Sequence, residues 1–360
     1  MTQTLWNENQ FWKNKKIFLT GHTGFKGAWA SIWLHQMGAK VFGYSQPAPT
    51  SPSLYDSAQV RELLAGETIG DICDSARLTT AMKDFAPDMV LHMAAQPLVR
   101  YSYEQPVETY MTNVMGTVHV LEAIRQTKSI KSVLIITTDK CYENFEIDSG
   151  YEESDPMGGY DPYSSSKGCA ELVVAAWRRS YFAQSEVFIA SARAGNVIGG
   201  GDWAQDRLIP DFMKHFNEGK KVLVRSPGAI RPWQHVMEPL SGYFLILEKL
   251  FTAGSHYASP WNFGPYEKEA RNVEFIAERL TQLWGDGASW ALDTTHSHPH
   301  EAKYLKLNID KATQKLGWKP RLDINETLKL TCDWYKQFYQ SKAKAYELTL
   351  EQIKNFEQRK

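Results

Sequence analysis

Cysteine is scarce in this chain, which contains four in 360 residues. Cys73, Cys141, Cys169 and Cys332 are widely separated, so no two of them have the short spacing of a zinc ligand pair. Small secreted proteins that depend on disulfide bonds are much richer in cysteine. We therefore expect a reduced, cytoplasmic protein without structural disulfides, and we assign no metal site.

Long hydrophobic runs and an excess of one charge are also missing. No stretch approaches the roughly 20 apolar residues that cross a membrane, and residues 1–16 lack the apolar centre of a signal peptide. Forty basic residues face 41 acidic ones, for a net charge of −1, which argues against a general nucleic-acid or membrane-surface binder. With 43% hydrophobic residues and no repeats, the chain is predicted to be globular.

Segments typical of strands and helices alternate through the first half of the chain. Apolar segments such as 15–20, 89–95 and 132–138 are typical of strands, and segments with helical spacing lie between them. This alternation predicts an α/β fold of the Rossmann type, a doubly wound parallel sheet covered by helices on both faces.

The pattern changes after about residue 195, where loops rich in glycine, proline, arginine and histidine begin. We expect a Rossmann domain over 1–195 and a smaller mixed domain over 196–341, with some of its segments returning to the first domain. The polar residues 342–360 are expected to form a peripheral tail.

A glycine-rich turn follows the first predicted strand, with Gly21, Gly24 and Gly27 in the sequence GHTGFKG. Glycine permits positive φ and close backbone approach, so the start of the next helix can meet a pyrophosphate. The spacing is G-x-x-G-x-x-G, whereas the usual dinucleotide pattern is G-x-G-x-x-G. A plain tight turn is the alternative, but the strand before and the helix after favour cofactor binding.

The segment after the second predicted strand, GYSQPAP, lacks the residues that distinguish NAD from NADP. NAD sites usually have an Asp or Glu there, and NADP sites an Arg nearby. Asp71, which follows the third strand and precedes Ile72, could lie beside the adenine instead. These residues alone leave the choice of cofactor open.

Tyr163 and Lys167 lie four residues apart at the start of a predicted helix, which places both side chains on one face. Tyrosine ordinarily titrates near pH 10, and a nearby ammonium lowers that value by favouring the phenolate. The pair could therefore take a proton from a sugar hydroxyl. A surface contact between the two side chains is the alternative, and the glycine turn and the sheet pattern favour the catalytic interpretation.

These features together resemble the extended short-chain dehydrogenases/reductases, the NAD-dependent epimerase/dehydratase family. The resemblance rests on GHTGFKG, HMAAQ at 92–96, Asn113, and Tyr163 with Lys167, and it covers nearly the whole chain. It implies bound NAD or NADP in the first domain, a nucleotide sugar in the second, and usually a homodimer, with a tetramer as a further possibility. The cofactor contacts it implies are Gly21, Thr23, Gly24, Phe25, Gly27, Asp71, Ile72, Ala94, Ala95, Asn113, Tyr163 and Lys167.

The segment TTDKCYEN, residues 137–144, narrows the resemblance. Nucleotide-sugar 4,6-dehydratases carry Thr-Asp-Glu at this strand end, where Asp acts as acid on the C6 hydroxyl and Glu as base at C5. Here Thr138 and Asp139 match, but Lys140 replaces the glutamate. Thr-Asp-Lys, together with AAQPLVR, RAGNVIGGGDW and RPWQHV, resembles the CDP-glucose 4,6-dehydratases, whose product enters dideoxyhexose and lipopolysaccharide O-antigen synthesis.

This resemblance implies NAD-dependent oxidation at C4, loss of water across C5–C6 and return of hydride to C6. The catalytic residues it implies are Thr138, Asp139, Lys140, Tyr163 and Lys167. Lys140 is difficult to assign, because an ordinary lysine titrates near a pKa of about 10.4 and is protonated at neutral pH. Either its pKa is lowered to roughly 7–8 and it acts as the base, which we favour, or it stays charged and stabilises the enolate.

Groups suited to a sugar diphosphate occur in the second half of the chain. Arg207 and Arg231 can hold phosphate through two hydrogen bonds each, and Asn196 offers a donor and an acceptor. Surface salt bridges and loop capping are the alternatives for these residues, and the resemblance favours substrate binding. The remaining substrate contacts that we expect are Gln96 and Arg100 on the sugar side and His298 near the base or phosphate.

Two other functions stay open at this point. A nucleotide-sugar 4-epimerase or reductase would share the fold, but epimerisation has no leaving hydroxyl for Asp139 to protonate. A non-catalytic NAD(P)-sensing protein would not need the Tyr163–Lys167 pair. The nucleotide is less secure than the reaction, so a 4,6-dehydratase acting on a dTDP- or GDP-hexose is a further alternative.

Overall fold

The computed structural model describes residues 10–147, 149–293, 305–340 and 344–359. A parallel sheet lies at its centre, and several two-stranded pairs lie beyond it. In chain order the strands are β1 Lys16–Thr20, β2 Lys40–Ser45, β3 Gly66–Ile69, β4 Met89–His92, β5 Ser132–Ile136, β6 Phe188–Ala194, β7 Val197–Ile198, β8 Val222–Val224, β9 Ile230–Arg231, β10 Gln234–His235, β11 Pro260–Phe263, β12 Arg271–Asn272 and β13 Trp290–Leu292.

Helices connect the strands and cover the sheet. The α-helices are α1 Phe25–Gln36, α2 Leu54–Ser57, α3 Ser75–Phe85, α4 Val99–Glu104, α5 Pro106–Tyr110, α6 Gly116–Arg125, α7 Pro162–Ser180, α8 Leu208–Asn217, α9 Met237–Ala253, α10 Val273–Trp284, α11 Ile324–Gln340 and α12 Ala345–Glu357. Short 3₁₀ turns occur at Gln10–Trp12, Val60–Leu63, Asp139–Cys141, Gly254–Tyr257 and Glu267–Glu269. π-helical turns occur at Met111–Met115 and Ala312–Leu316.

The central sheet has the strand order β11-β6-β5-β4-β1-β2-β3, and every adjacent pair is parallel. From β1 the chain builds outward through β2 and β3, and from β4 it builds in the other direction through β5 and β6. The carboxyl ends of β1 and β4 therefore flank the topological switch point, where doubly wound sheets bind their ligands. The predicted Rossmann-type α/β fold is confirmed.

Apolar side chains fill both faces of the sheet. On one face, helices α1 and α9 contribute the buried rings of Trp29, Trp33 and Phe244. On the other face, Leu78 of α3 and Val174 of α7 belong to a second buried cluster. Both faces are thus covered, which leaves the carboxyl edge of the sheet for the functional site. Within the described ranges, no helix is both long enough and apolar enough to span a membrane.

Two late segments of the chain pack onto the first half. Strand β11 pairs with β6 and extends the central sheet. Helix α12 packs on α1, where Phe356 is buried and the Trp33 indole donates to the Glu357 carboxylate at 2.8 Å. The expectation of a peripheral tail is therefore wrong, because this segment forms an amphipathic helix whose packed face includes buried apolar and polar side chains. The domain division near residue 195 stays a prediction.

Candidate active site

The glycine-rich turn lies at the switch point, between β1 and α1. Gly21 has a φ of +81°, and a Cβ there would lie 2.7 Å from the Ala94 nitrogen. A Cβ on Gly27 would lie 2.0 Å from the Gly21 oxygen. Gly24 is the N-cap of α1 and makes no side-chain cap, so the amides of the first turn, beginning at Phe25, are available to an anion. This turn is therefore a suitable cradle for a pyrophosphate.

The opposite end of the predicted cofactor site lies beyond β2 and β3. The Thr23 hydroxyl donates to the Gln46 carbonyl at 2.9 Å and thereby fixes the end of β2. Asp71 follows β3 and accepts hydrogen bonds from the Gln46 side-chain amide and the Cys73 backbone, both at 2.8 Å. A carboxylate thus lies beside the ends of β2 and β3, on the segment after β3, and buried Ile72 lies next to it.

Asn113 connects the end of β4 to helix α7. Its side chain exchanges hydrogen bonds with the Gln96 backbone, at 2.9 and 3.0 Å, and donates to the Ser166 hydroxyl at 2.9 Å. It lies in the π-helical turn Met111–Met115, a geometry that is frequent at functional sites. Ala94, which precedes Ala95 in this segment, donates from its backbone nitrogen to the Thr20 hydroxyl at 3.1 Å.

The Thr-Asp-Lys segment begins two residues after the end of β5 and leads into a 3₁₀ turn. Thr138 caps the 3₁₀ turn Asp139–Cys141, and its hydroxyl accepts from the Lys140 nitrogen at 3.4 Å and donates to Asp139 Oδ1 at 3.0 Å. Asp139 is 1% exposed, and its Oδ2 has no hydrogen-bond partner among the described residues. Within the described part of the chain, this carboxyl oxygen is therefore left without a hydrogen-bond donor.

Tyr163 and Lys167 occupy the first turns of α7. Asp161 caps this helix by accepting from the Ser164 nitrogen at 2.9 Å, and Pro162 fits its first position. Both side chains of the pair are buried, and the Lys167 ammonium donates to the Ile136 carbonyl at the end of β5 at 3.2 Å. The pair therefore lies against the strand end that carries Thr138.

Burial opposes ionisation of both members of the pair. It raises the pKa of Tyr163 to about 12, although the Thr138 hydroxyl and the charge of Arg207 favour the phenolate. It lowers the pKa of Lys167 to about 8, against the opposing charge of Glu171. The net shift for Tyr163 is thus opposite in sign to the one expected from its lysine neighbour alone, because the cost of burying a phenolate is larger.

Lys26 and Tyr243 were not identified from the sequence. The Lys26 ammonium lies 5.9 Å from the centre of the Tyr243 ring. Desolvation, with the charges of Arg207 and Lys167, lowers the pKa of Lys26 to about 7, while Asp139 opposes this shift. A lysine inside a glycine-rich turn was the available signal for Lys26, whereas nothing local marks Tyr243.

The two arginines Arg207 and Arg100, both predicted to bind substrate, lie in different surroundings. Arg207 lies within electrostatic range of Tyr163 and forms a 2.9 Å ion pair with Asp202. The exposed Arg100 pairs with Asp206 at 3.1 Å, on the same loop as Asp202. The structure thus brings Arg207 near Tyr163, and it places Arg100 beside the loop that carries Asp202 and Asp206.

The remaining candidate substrate-binding residues differ in which of their polar groups already form hydrogen bonds within the chain. The Gln96 amide is used within the chain, since it donates to Leu98 O and the Thr109 hydroxyl at 3.1 and 2.9 Å. Arg231 is buried and donates to its neighbouring carbonyl, and the Asn196 carbonyl accepts from the Gln234 nitrogen at 3.0 Å. His298 lies outside the described residues.

The chain is similar to known nucleotide-sugar enzymes. The family model for GDP-mannose 4,6 dehydratase matches residues 18–331. A CDP-glucose 4,6-dehydratase of Salmonella typhimurium is 55% identical over 334 residues, which cover 91% of this chain and 92% of the relative. A dTDP-glucose 4,6-dehydratase of the same organism is 28% identical over 80% of this chain and 84% of the relative.

Solved structures with the same fold include enzymes of two kinds. A Thermus thermophilus UDP-glucose 4-epimerase in complex with NAD superposes with a TM-score of 0.77 at 22% identity, over 89% of this chain and 99% of the other. A Bacillus anthracis dTDP-glucose 4,6-dehydratase in complex with NAD gives a TM-score of 0.74 at 22% identity, over 90% and 97% of the two chains. At this level of identity, the likeness establishes the fold.

Substitution of Lys167 by methionine tests the lowered pKa of the buried amine. Between the folded value of about 8 and the ordinary value of 10.5, the unfolded chain binds a proton that the folded chain does not, so rising pH stabilises the wild-type fold. We expect the free energy of unfolding of the wild type, relative to Lys167→Met, to rise by about 3 kcal/mol over this range in urea titrations. The exposed Lys128→Met is the control, and a difference independent of pH at Lys167 would contradict the shift.

Proposed function

The chain belongs to the nucleotide-sugar 4,6-dehydratase family described by the GDP-mannose 4,6 dehydratase model, and on this premise we propose that it dehydrates CDP-D-glucose with NAD as cofactor. The product is CDP-4-dehydro-6-deoxy-D-glucose, so the enzyme is a hydro-lyase. The observation that carries the proposal is the buried, unpartnered Oδ2 of Asp139 in the electrostatic surroundings of Tyr163. The similarity to a CDP-glucose 4,6-dehydratase supports the choice of nucleotide.

The residues around the switch point fit NAD. The first-turn amides of α1 and the close turn at Gly21 and Gly27 suit the pyrophosphate, since a Cβ at either glycine would clash with backbone. The Asp71 carboxylate, at the ends of β2 and β3, suits the adenosine. When bound, NAD supplies the acceptor that takes a hydride from C4 and later returns it to C6.

Tyr163 acts first, as the base that takes the proton of the C4 hydroxyl. Its phenolate needs positive charge nearby, because burial holds the pKa of Tyr163 at about 12. Lys167 and Arg207 supply this charge, and the Thr138 hydroxyl, which donates to Asp139 Oδ1 in this structure, turns its proton to the oxygen that becomes negative. The resulting ketone at C4 then acidifies the proton at C5.

Asp139 and Lys140 act next, on the C5–C6 bond. We assign Asp139 as the acid that protonates the departing C6 oxygen, because its Oδ2 is buried and has no partner among the described residues. Lys140 lies in the same 3₁₀ turn and moves the C5 proton as base. Both residues belong to the short turn that follows β5, the strand end against which Tyr163 and Lys167 lie.

We assign binding of the substrate's diphosphate to Arg207, Arg231 and Asn196. Arg207 is the best placed of the three, since it lies at the N-cap of α8 within electrostatic range of Tyr163. Its partner Asp202 keeps the guanidinium oriented in the same loop. We place the reaction in the cytoplasm and its product in dideoxyhexose and O-antigen synthesis, as the similarity to CDP-glucose 4,6-dehydratases suggests.

The reaction is tested by mass spectrometry of products after incubation with CDP-, dTDP- and UDP-glucose and GDP-mannose, each with and without added NAD. We expect loss of one water from CDP-glucose and unchanged masses for the others. Dehydration of a different nucleotide sugar would overturn the choice of CDP. An isomer of unchanged mass would identify an epimerase and overturn the assignment of Asp139.

Substitution of Lys140 by methionine tests its role as the base at C5. Loss of a general base typically slows proton transfer by 10²–10⁴-fold, so we expect exchange of the C5 proton with solvent deuterium to slow by roughly 10²-fold or more. Oxidation at C4 should continue, because Tyr163 performs it. Lys131→Met, which changes an exposed lysine directly before β5, is the control, and unchanged C5 exchange in Lys140→Met would exclude the base role.

We also propose that the enzyme is a homodimer. If a tetramer forms, it consists of two such dimers. Helices α5 and α7 pack together, and with α4 and the adjoining π-helical turn they expose large apolar side chains. Contiguous surfaces of this kind are rare on monomers, and tyrosine and methionine are enriched at interfaces. These side chains, which we call the α5 face, are Tyr103, Val107, Tyr110, Met111, Met115 and Leu172.

Sedimentation equilibrium tests the dimer. We expect a mass of twice 41.0 kDa for the wild type, and a shift toward single chains in the double variant Val107→Asp/Met111→Asp, because two buried charges oppose association. Leu223→Asp changes an exposed leucine of β8 outside the α5 face and serves as the control. A wild type that sediments as a single chain would refute the proposal.

A further inference from the structure

Helix α7 carries a third ionisable side chain that the mechanism above does not use. Glu171 follows Lys167 by four residues and Tyr163 by eight, so the three lie along one face of the helix. The Glu171 side chain is 4% exposed. A carboxylate is rarely buried this deeply unless its surroundings satisfy both oxygens.

The partners of Glu171 come from the two strands that border the catalytic turn. Its carboxylate accepts from the Thr137 hydroxyl at 2.5 Å and from the Ser191 hydroxyl at 2.7 Å. It also forms a 2.9 Å ion pair with Arg193, whose side chain is 3% exposed. Thr137 immediately precedes Thr138, so this carboxylate joins helix α7 to the end of β5.

The same carboxylate acts on Lys167 through its charge. Burial is the largest influence on Lys167 and lowers its pKa, and the charge of Glu171 is the largest influence that raises it. Arg193 keeps Glu171 ionised, since hydrogen bonds and the guanidinium charge lower the pKa of this carboxyl despite its burial. Arg193 is itself held by the Tyr142 hydroxyl at 2.6 Å, one residue after the catalytic 3₁₀ turn.

We infer that Glu171 is a positioning residue for the oxidation step, which places a buried negative charge one helical turn from Lys167 and fixes the Thr137–Thr138 segment opposite Tyr163. It touches neither the substrate nor the cofactor. Its effect reaches Tyr163 through Lys167 and through Thr138. This inference rests on the proposed function, in which the phenolate of Tyr163 is the base.

The test uses the pH dependence of C4 oxidation in Glu171→Gln, which keeps the shape of the side chain and removes its charge. CDP-6-deoxyglucose isolates this step, because it lacks the leaving hydroxyl and the reaction stops at NADH. Removing a negative charge lowers the pKa of both Lys167 and Tyr163, so we expect the acid limb of the rate profile to move down by about one pH unit. The maximal rate should also fall roughly tenfold. When the Tyr163–Lys167 pair has lost one proton, the variant more often has neutral lysine with neutral tyrosine, and less often the reactive form with charged lysine and phenolate.

Two further variants separate charge from position. Thr137→Val removes a hydrogen bond to Glu171 and keeps the charge of the carboxylate. It should therefore lower the rate of C4 oxidation without shifting the acid limb of the pH–rate profile. If Glu171→Gln alone fails to fold, the double variant Glu171→Gln/Arg193→Met replaces it, because it does not leave a buried guanidinium without its partner. We expect it to shift the acid limb of the pH–rate profile in the same direction. Glu122→Gln, which breaks an exposed ion pair on α6, is the control. A folded Glu171 variant whose limb coincides with that of the wild type would overturn the inference.

A second readout needs no substrate. Urea unfolding across the pH range, compared between chains with and without the Lys167→Met substitution, reports the pKa of Lys167 in each background. We expect this pKa to be lower by about one unit when Glu171→Gln is also present. If the wild type fails to oxidise CDP sugars but this shift is found, the proposed function fails and the charge coupling stands. If the enzyme is active and the shift is absent, the positioning role fails alone.

Discussion

The proposed catalytic groups are divided between two elements, the end of β5 and the start of α7, and the proposed chemistry depends on a fixed distance between the two. Gly168, directly after Lys167, permits close approach, since a Cβ there would lie 2.6 Å from the Gly158 oxygen and 3.2 Å from the Cys141 oxygen. The buried ion pair of Glu171 and Arg193 then ties the helix to β6. Removing one partner of such a pair costs about 3–5 kcal/mol, whereas replacing both by apolar residues is often neutral. Its presence at this place is therefore better explained by position and charge than by stability.

The topology of the sheet brings the remaining parts of the site to the same edge. Because the sheet builds outward in opposite directions from β1 and β4, the glycine turn after β1 and the segment after β4 meet side by side. Gly21 allows the two backbones to approach, and Asn113 links the β4 segment to α7. A cofactor laid across this edge would therefore reach from Asp71 at one end to the Tyr163–Lys167 pair at the other, without further elements.

The sequence predicted those parts of the fold and site that depend on local spacing. Alternating strands and helices predicted the parallel sheet, and the four-residue separation of Tyr163 and Lys167 predicted a shared helix face. Contacts between distant segments were inaccessible, as α12 packing on α1 and Lys26 approaching Tyr243 illustrate. The sign of the pKa shift at Tyr163 was also missed, because a two-residue motif reports the neighbouring charge but not the depth of burial. The sequence also did not show that the Gln96 amide donates to Leu98 and Thr109, and the assignment of Gln96 to the sugar stays a prediction.

Burial of Tyr163 sets the electrostatic requirement that the surrounding residues must meet. With its pKa near 12, the Tyr163 phenolate is disfavoured at pH 7 by a factor of about 10⁵, or roughly 7 kcal/mol. Arg207 and the Thr138 hydroxyl already favour the phenolate, and the amino end of α7 adds a smaller contribution of the same sign. Lys167 can help only while it is charged, and burial has brought its pKa to about 8. A buried carboxylate one turn further along the helix offsets that loss, so the charge that Tyr163 needs is maintained by a residue that never meets the sugar.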